Sequence, residues 1–95
     1  MAIVVDILVP NASKDDSDRL DDSMDAAIGE MGGPPAGLMG HLTRPEGDGF
    51  LLSDVWRSEA DMRPFYEDVM RPKLTDAGLR PGEPVVSPVW SFARP

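Results

Sequence analysis

One histidine and two aspartates set in apolar runs are the residues of this chain with the most to offer chemistry. His41 is the sole imidazole among 95 residues. Asp6 interrupts the run AIVVDILV, and Asp54 interrupts GFLLSDVW. A carboxylate among buried apolar side chains must be paired, hydrogen-bonded or protonated, and such perturbed groups gather at functional sites. A histidine beside one of them would titrate near neutrality and serve as a general base. Metal chemistry has little to stand on. There is no cysteine, and a single histidine leaves only scattered carboxylates as further ligands. No metal and no cofactor is expected. Without a function, His41 would be a strand histidine satisfied by a neighbouring carboxylate, and Asp6 and Asp54 would be groups that reach water at strand ends.

All three lie on stretches with strand character. Residues 2–9 place Ile3, Val5, Ile7 and Val9 on one face and Val4, Asp6 and Leu8 on the other, the pattern of a central strand covered on both sides. Residues 13 to about 31 read as a helix capped by Ser13 or Ser17, with Asp15, Asp16 and Asp18 suiting its positive N-terminal end. Leu20, Met24, Ala27, Ile28 and Met31 make its buried stripe, while Asp18, Asp21, Asp22 and Asp25 belong to a solvated face. That acidic run lacks the loop glycine and ligand spacing of a calcium site. Gly32 to Pro35 stop the helix.

Ala36–Thr43 is a second strand. The loop RPEGDG joins it to a third, Gly49–Trp56, as a hairpin. A second helix starts after Ser58 with Glu59 and Asp61 in its first turn, buries Met62, Phe65, Tyr66, Val69 and Met70, and is kinked or ended by Pro72. The last strand starts at Val85, and its Pro88 marks an edge or a bulge. With a four-residue loop over Pro45–Asp48, His41 would pair with Leu52, Met39 with Asp54 and Gly37 with Trp56. His41 and Asp54 would then be diagonal neighbours on one face, about 7–8 Å apart at Cα. A slip of one residue would part them.

The order β-α-β-β-α-β predicts one α+β domain over 1–95 with a ferredoxin-like fold, a four-stranded antiparallel sheet with two helices on one face. The uncovered face needs a partner, and a second copy in a homodimer is the expected one. A net charge of −8 with only 9 Lys and Arg argues against nucleic acid as a partner. MAIVVDILVP has no basic n-region and is too short for a span, so no membrane partner and a cytoplasmic location are expected.

The run GLMGHLTRPEGDGFLLSDVWRSEADMRPFYEDVMRPKL resembles the dimeric α+β barrel superfamily, and within it the antibiotic-biosynthesis-monooxygenase-like proteins. The features that carry it are the glycine-flanked strand with His41, the turn EGDG, the DVWRS junction and the helix ending in MRPKL. The resemblance covers residues 36–77; the remainder agrees in element order. It implies a dimeric barrel and admits cofactor-independent oxygenases of aromatic polyketides, polyketide cyclases, haem-handling enzymes and members with no known reaction. In the oxygenases, a tryptophan at the end of the third strand lines the cavity, helped by an asparagine four positions before it and a tyrosine six after. Trp56 matches; the other two positions are Leu52 and Met62. Tyr66, a turn beyond Met62, is the hydroxyl that could stand in.

The expectation is a cofactor-independent, monooxygenase-like enzyme for a hydrophobic aromatic or polyketide-like substrate. His41, Asp54 or Asp6 would move a proton, and Trp56, Tyr66, Met39, Leu52 and Phe65 would contact the substrate. Cyclisation or isomerisation by the same acid–base groups is one alternative. A non-catalytic homodimer whose cavity is filled by these side chains is another. Trp90, on the last strand, is expected to pack.

Overall fold

The computed structural model describes residues 1–94. Alternating β-branched residues make the first strand, β1 (Ile3–Val9), and Ile3, Val5, Ile7 and Val9 are all buried. Helix α1 (Lys14–Glu30) follows. Its start is fixed by a capping box in which the Ser13 hydroxyl accepts from the Asp16 amide and the Asp16 carboxylate accepts from the Ser13 amide, pairing two amides that the helix leaves free. β2 (Leu38–Glu46) and β3 (Gly49–Trp56) form a hairpin. Helix α2 (Glu59–Phe65), capped by Ser58, runs through a π turn (Tyr66–Met70) into α3 (Arg71–Asp76), and the short β4 (Val85–Pro88) comes last. The sheet order is β2-β3-β1-β4 with every pair antiparallel, a ferredoxin-like α+β arrangement.

The hairpin turns on Gly47 and Asp48 alone, so Glu46 pairs with Gly49 and His41 pairs directly with Asp54. This corrects the four-residue loop expected from the sequence. The two-residue difference moves each partner along its own face, so His41, Asp54 and Trp56 still share one. Gly47 at φ 57° supplies the left-handed conformation such a tight turn requires. A bulge at Met39 ends the regular pairing.

The helices cover one face of the sheet. There Val5, Ile7, Leu52 and Trp56 pack against Leu20, Met62, Phe65, Met70 and Leu74. β1 was expected to be covered on both faces. In the single chain its second face is open, with Leu8 of β1, Leu42 of β2 and Val85 of β4 all exposed. Pro72 does not end the second helix, which continues through the π turn to Asp76. Its ring would press on the carbonyl a turn earlier, and the wider π turn before it, closed by the Arg71 amide on the Tyr66 carbonyl, gives that ring room. β4 is an edge strand, which accommodates Pro88. Trp90, expected to pack on a strand that dimeric α+β barrels use for contacts between subunits, stands 96% exposed on the single chain.

Candidate active site

The backbone pairing of β2 with β3 sets the His41 and Asp54 side chains beside each other on the helix-facing side. His41 Nδ1 and Asp54 Oδ1 are hydrogen-bonded. The Asp54 side chain is 5% exposed and that of His41 42% exposed, so a buried carboxylate anchors an imidazole that still reaches the cleft. An ionised Asp54 selects the tautomer with the proton on Nδ1, which leaves the Nε2 lone pair available as a base. The hydrogen bond to Asp54 is the main cause that raises the His41 pKa above its ordinary value. Partial burial opposes it, and the charges of Asp54, Asp21 and Asp25 reinforce it.

His41 and Asp54 sit at the floor of a cleft of about 380 Å³ between α1, the sheet and the π turn. Leu20, Met24 and Ile28 of α1 form one wall; Leu38, Leu52, Phe65 and Met70 form the rest. The cleft opens beside α1, whose Met24 and Ile28 pack against the core only half-buried. Of its expected buried stripe only Leu20 is buried, and Met31 is half exposed. Asp21 and Asp25, expected on a solvated face, border the mouth. Each directly follows a residue of the stripe, about 100° round the helix, and that spacing was the signal that could have placed them.

The other expected residues divide. Leu52 and Phe65 line the cleft. Trp56 does not. It is 1% exposed, stacks at a tilt on Phe65 with ring centroids 5.7 Å apart, and the space it shares with Val5, Ile7, Met62 and Tyr66 has no room for a water. Tyr66 is buried in the same packed region, and burial raises its pKa. Met39 is the bulged residue, outside the cleft lining, and its carbonyl accepts from the Arg94 guanidinium. Asp6 is not brought to the site. It stands on the opposite face of the sheet, where Ser53 Oγ donates to it at 2.5 Å, because its place in β1 is out of phase with Val5 and Ile7. Met24, Ile28, Leu38 and Met70 were not among the expected contacts. Among the described residues no three His, Asp or Glu side chains gather into a set that could hold a metal ion.

No protein-family model matches the chain, and no curated protein does. Solved structures do. The chain is similar to SnoaB, a cofactor-independent oxygenase from Streptomyces nogalater, at 13% identity and a TM-score of 0.62, over 96% of this chain and 93% of that one. It is similar to a Deinococcus radiodurans protein assigned to the antibiotic biosynthesis monooxygenases at 13% identity and a TM-score of 0.61, over 99% and 97%. It is also similar to Rv0793 from Mycobacterium tuberculosis at 19% identity and a TM-score of 0.59, over 98% of each chain. At such identities the likeness speaks for the fold. The chain shares the ferredoxin-like α+β fold of these structures.

Proposed function

We propose that the chain is a cofactor-independent enzyme that acts on a hydrophobic aromatic or polyketide-like small molecule, monooxygenase-like in outcome, with His41 as its base and Asp54 as the group that orients it. The observation that carries this reading is the His41–Asp54 pair at the floor of an otherwise apolar cleft, whose volume is that of a small-molecule site. His41 Nε2 removes a proton from an acidic C–H of the bound ring. The carbanion's electron pair forms a C–O bond to O2, the peroxide oxygen takes the proton back from His41, and loss of water leaves a carbonyl. A cofactor-independent oxygenase among the similar structures supports oxygen as the second reactant. Asp6, on the far face, has no part in this reading.

The chain acts as a homodimer through the open sheet face, whose exposed Leu8, Leu42 and Val85 are apolar surface that a second copy would cover. Oxygen uptake with hydroxylated anthrones and naphthols, for the wild type and for His41→Ala and Asp54→Asn, tests the reading. Uptake that falls by about 100-fold or more in His41→Ala is expected; unaltered turnover in both variants would sink the assignment. Substrate consumed without oxygen would indicate cyclisation or isomerisation by the same base.

A further inference from the structure

Thr43 stands two residues from His41 on β2, on the same face, with its Oγ1 3.4 Å from His41 Nε2. The other imidazole nitrogen is held by Asp54. A carboxylate, an imidazole and a hydroxyl in that order form the arrangement in which an oriented base activates an alcohol, and the hydroxyl–base contact is often loose before a ligand binds. Thr43 lines a second cavity, of about 440 Å³, between the first turns of α1 and the β2–β3 hairpin. Its walls include Arg44, Pro45 and Phe50, with the hydroxyls of Ser13 and Ser17 as hydrogen-bond donors and Lys14 paired with Asp18. Asp21 borders both this cavity and the His41 cleft.

We propose that Thr43 is a nucleophile and that the chain hydrolyses small uncharged esters, an activity distinct from proton transfer to carbon. His41 Nε2 takes the Thr43 hydroxyl proton as Oγ1 bonds to the acyl carbon, and the carbonyl electron pair moves onto its oxygen. The pair returns as the bond to the alcohol oxygen breaks, and the departing oxygen takes the proton from His41. Water then gives a proton to Nε2 and attacks the same carbon, and Thr43 leaves with that proton. One ester and one water become one acid and one alcohol. Because His41 must reach the departing oxygen, the alcohol part lies over the apolar cleft and the acyl part against Phe50 and Pro45. The developing oxyanion faces the donors at the start of α1.

The test is hydrolysis of p-nitrophenyl butyrate by the wild type, Thr43→Val, Thr43→Ser and His41→Ala, with acid-quenched samples digested and mapped by mass spectrometry. We expect a butyryl adduct on the Thr43 peptide, and a rate lowered by at least about 100-fold in Thr43→Val but retained in Thr43→Ser. The His41 proton resonance, the only imidazole signal, shows whether Thr43→Val keeps its fold. An unaltered rate in folded Thr43→Val with loss in His41→Ala overturns the nucleophile and leaves His41 standing as a base; an adduct on His41 itself overturns it by making His41 the nucleophile. Hydrolysis by the wild type no faster than in buffer also overturns it. Unaltered rates in both variants overturn it and remove the case for His41 as well.

Discussion

His41 and Asp54 meet through backbone pairing, which places them with little dependence on the rotamers of long side chains. Their pairing has consequences in pH. The His41 pKa is raised in the folded chain, chiefly by the bond to Asp54. The base is therefore inactive at low pH, and the acid limb of kcat/KM should have its midpoint above the ordinary imidazole value of about 6.5. Asp54→Asn should move that midpoint down. The sign for stability follows from the same shift. A group whose folded pKa is raised stabilises fully below its unfolded pKa, and the contribution is lost as pH rises through the folded value. Thermal denaturation between pH 5.5 and 9 should show the wild type losing an advantage over His41→Gln as pH rises across that window. A parallel pH dependence in the two would contradict it.

At this scale the sequence was partly readable. A lone histidine and a carboxylate in an apolar strand announced the pair. Asp6 looked the same by composition and proved to face the other way, because only the phase of β1 against β3 distinguishes them. Trp56 matched by resemblance, yet the packing of Phe65 and Met62 against it leaves no space to line.

Among the elements, α1 decides whether there is a cleft. Its inner face buries only Leu20, so its capping box carries more weight than it would on a firmly seated helix. Ser13→Ala should lower stability by about 1 kcal/mol, read by urea denaturation, and speed amide exchange along the α1 wall. Unchanged exchange there would contradict it. The hairpin tolerates less. A Cβ on Gly49 would lie 1.9 Å from the Val9 carbonyl oxygen, a backbone atom that cannot move aside alone. Gly49→Ala should cost at least about 2 kcal/mol. The order of the elements, the Ser58 cap and the sides of the strands were legible from periodicity and capping residues, and the first cap was narrowed to Ser13 or Ser17. The seating of α1 was not legible. A helical stripe shows which face turns inward but not how deeply it is buried, and the cleft opens where Met24 and Ile28 are only half-buried. The two-residue turn was missed because Pro45 and Glu46 look like loop residues, although an edge strand such as β2 tolerates proline.

The whole molecule presents an unbalanced surface. One sheet face is covered by helices and the other carries exposed Leu8, Leu42 and Val85, with Trp90 beyond β4. Sedimentation should report a dimer at micromolar concentration, and Leu42→Lys should shift it towards monomer while leaving the circular dichroism spectrum intact. A monomeric wild type would refute this. Charge shapes ligand choice as well. No lysine or arginine lines the His41 cleft, and Asp21 and Asp25 border its mouth, so neutral aromatics should bind more tightly than the matching carboxylates. No described helix is long and apolar enough to cross a membrane.

The chemistry proposed for this chain turns on His41, oriented by Asp54, acting as the base of a ligand-binding cleft. The most direct measurement is an NMR titration of the single imidazole, in the wild type and in Asp54→Asn, with and without 2-naphthol. His41 should carry its proton on Nδ1, titrate with a midpoint above about 6.5 that falls in Asp54→Asn, and shift its signal when 2-naphthol binds. An imidazole that titrates as a free one, indifferent to Asp54→Asn and to the ligand, would contradict it.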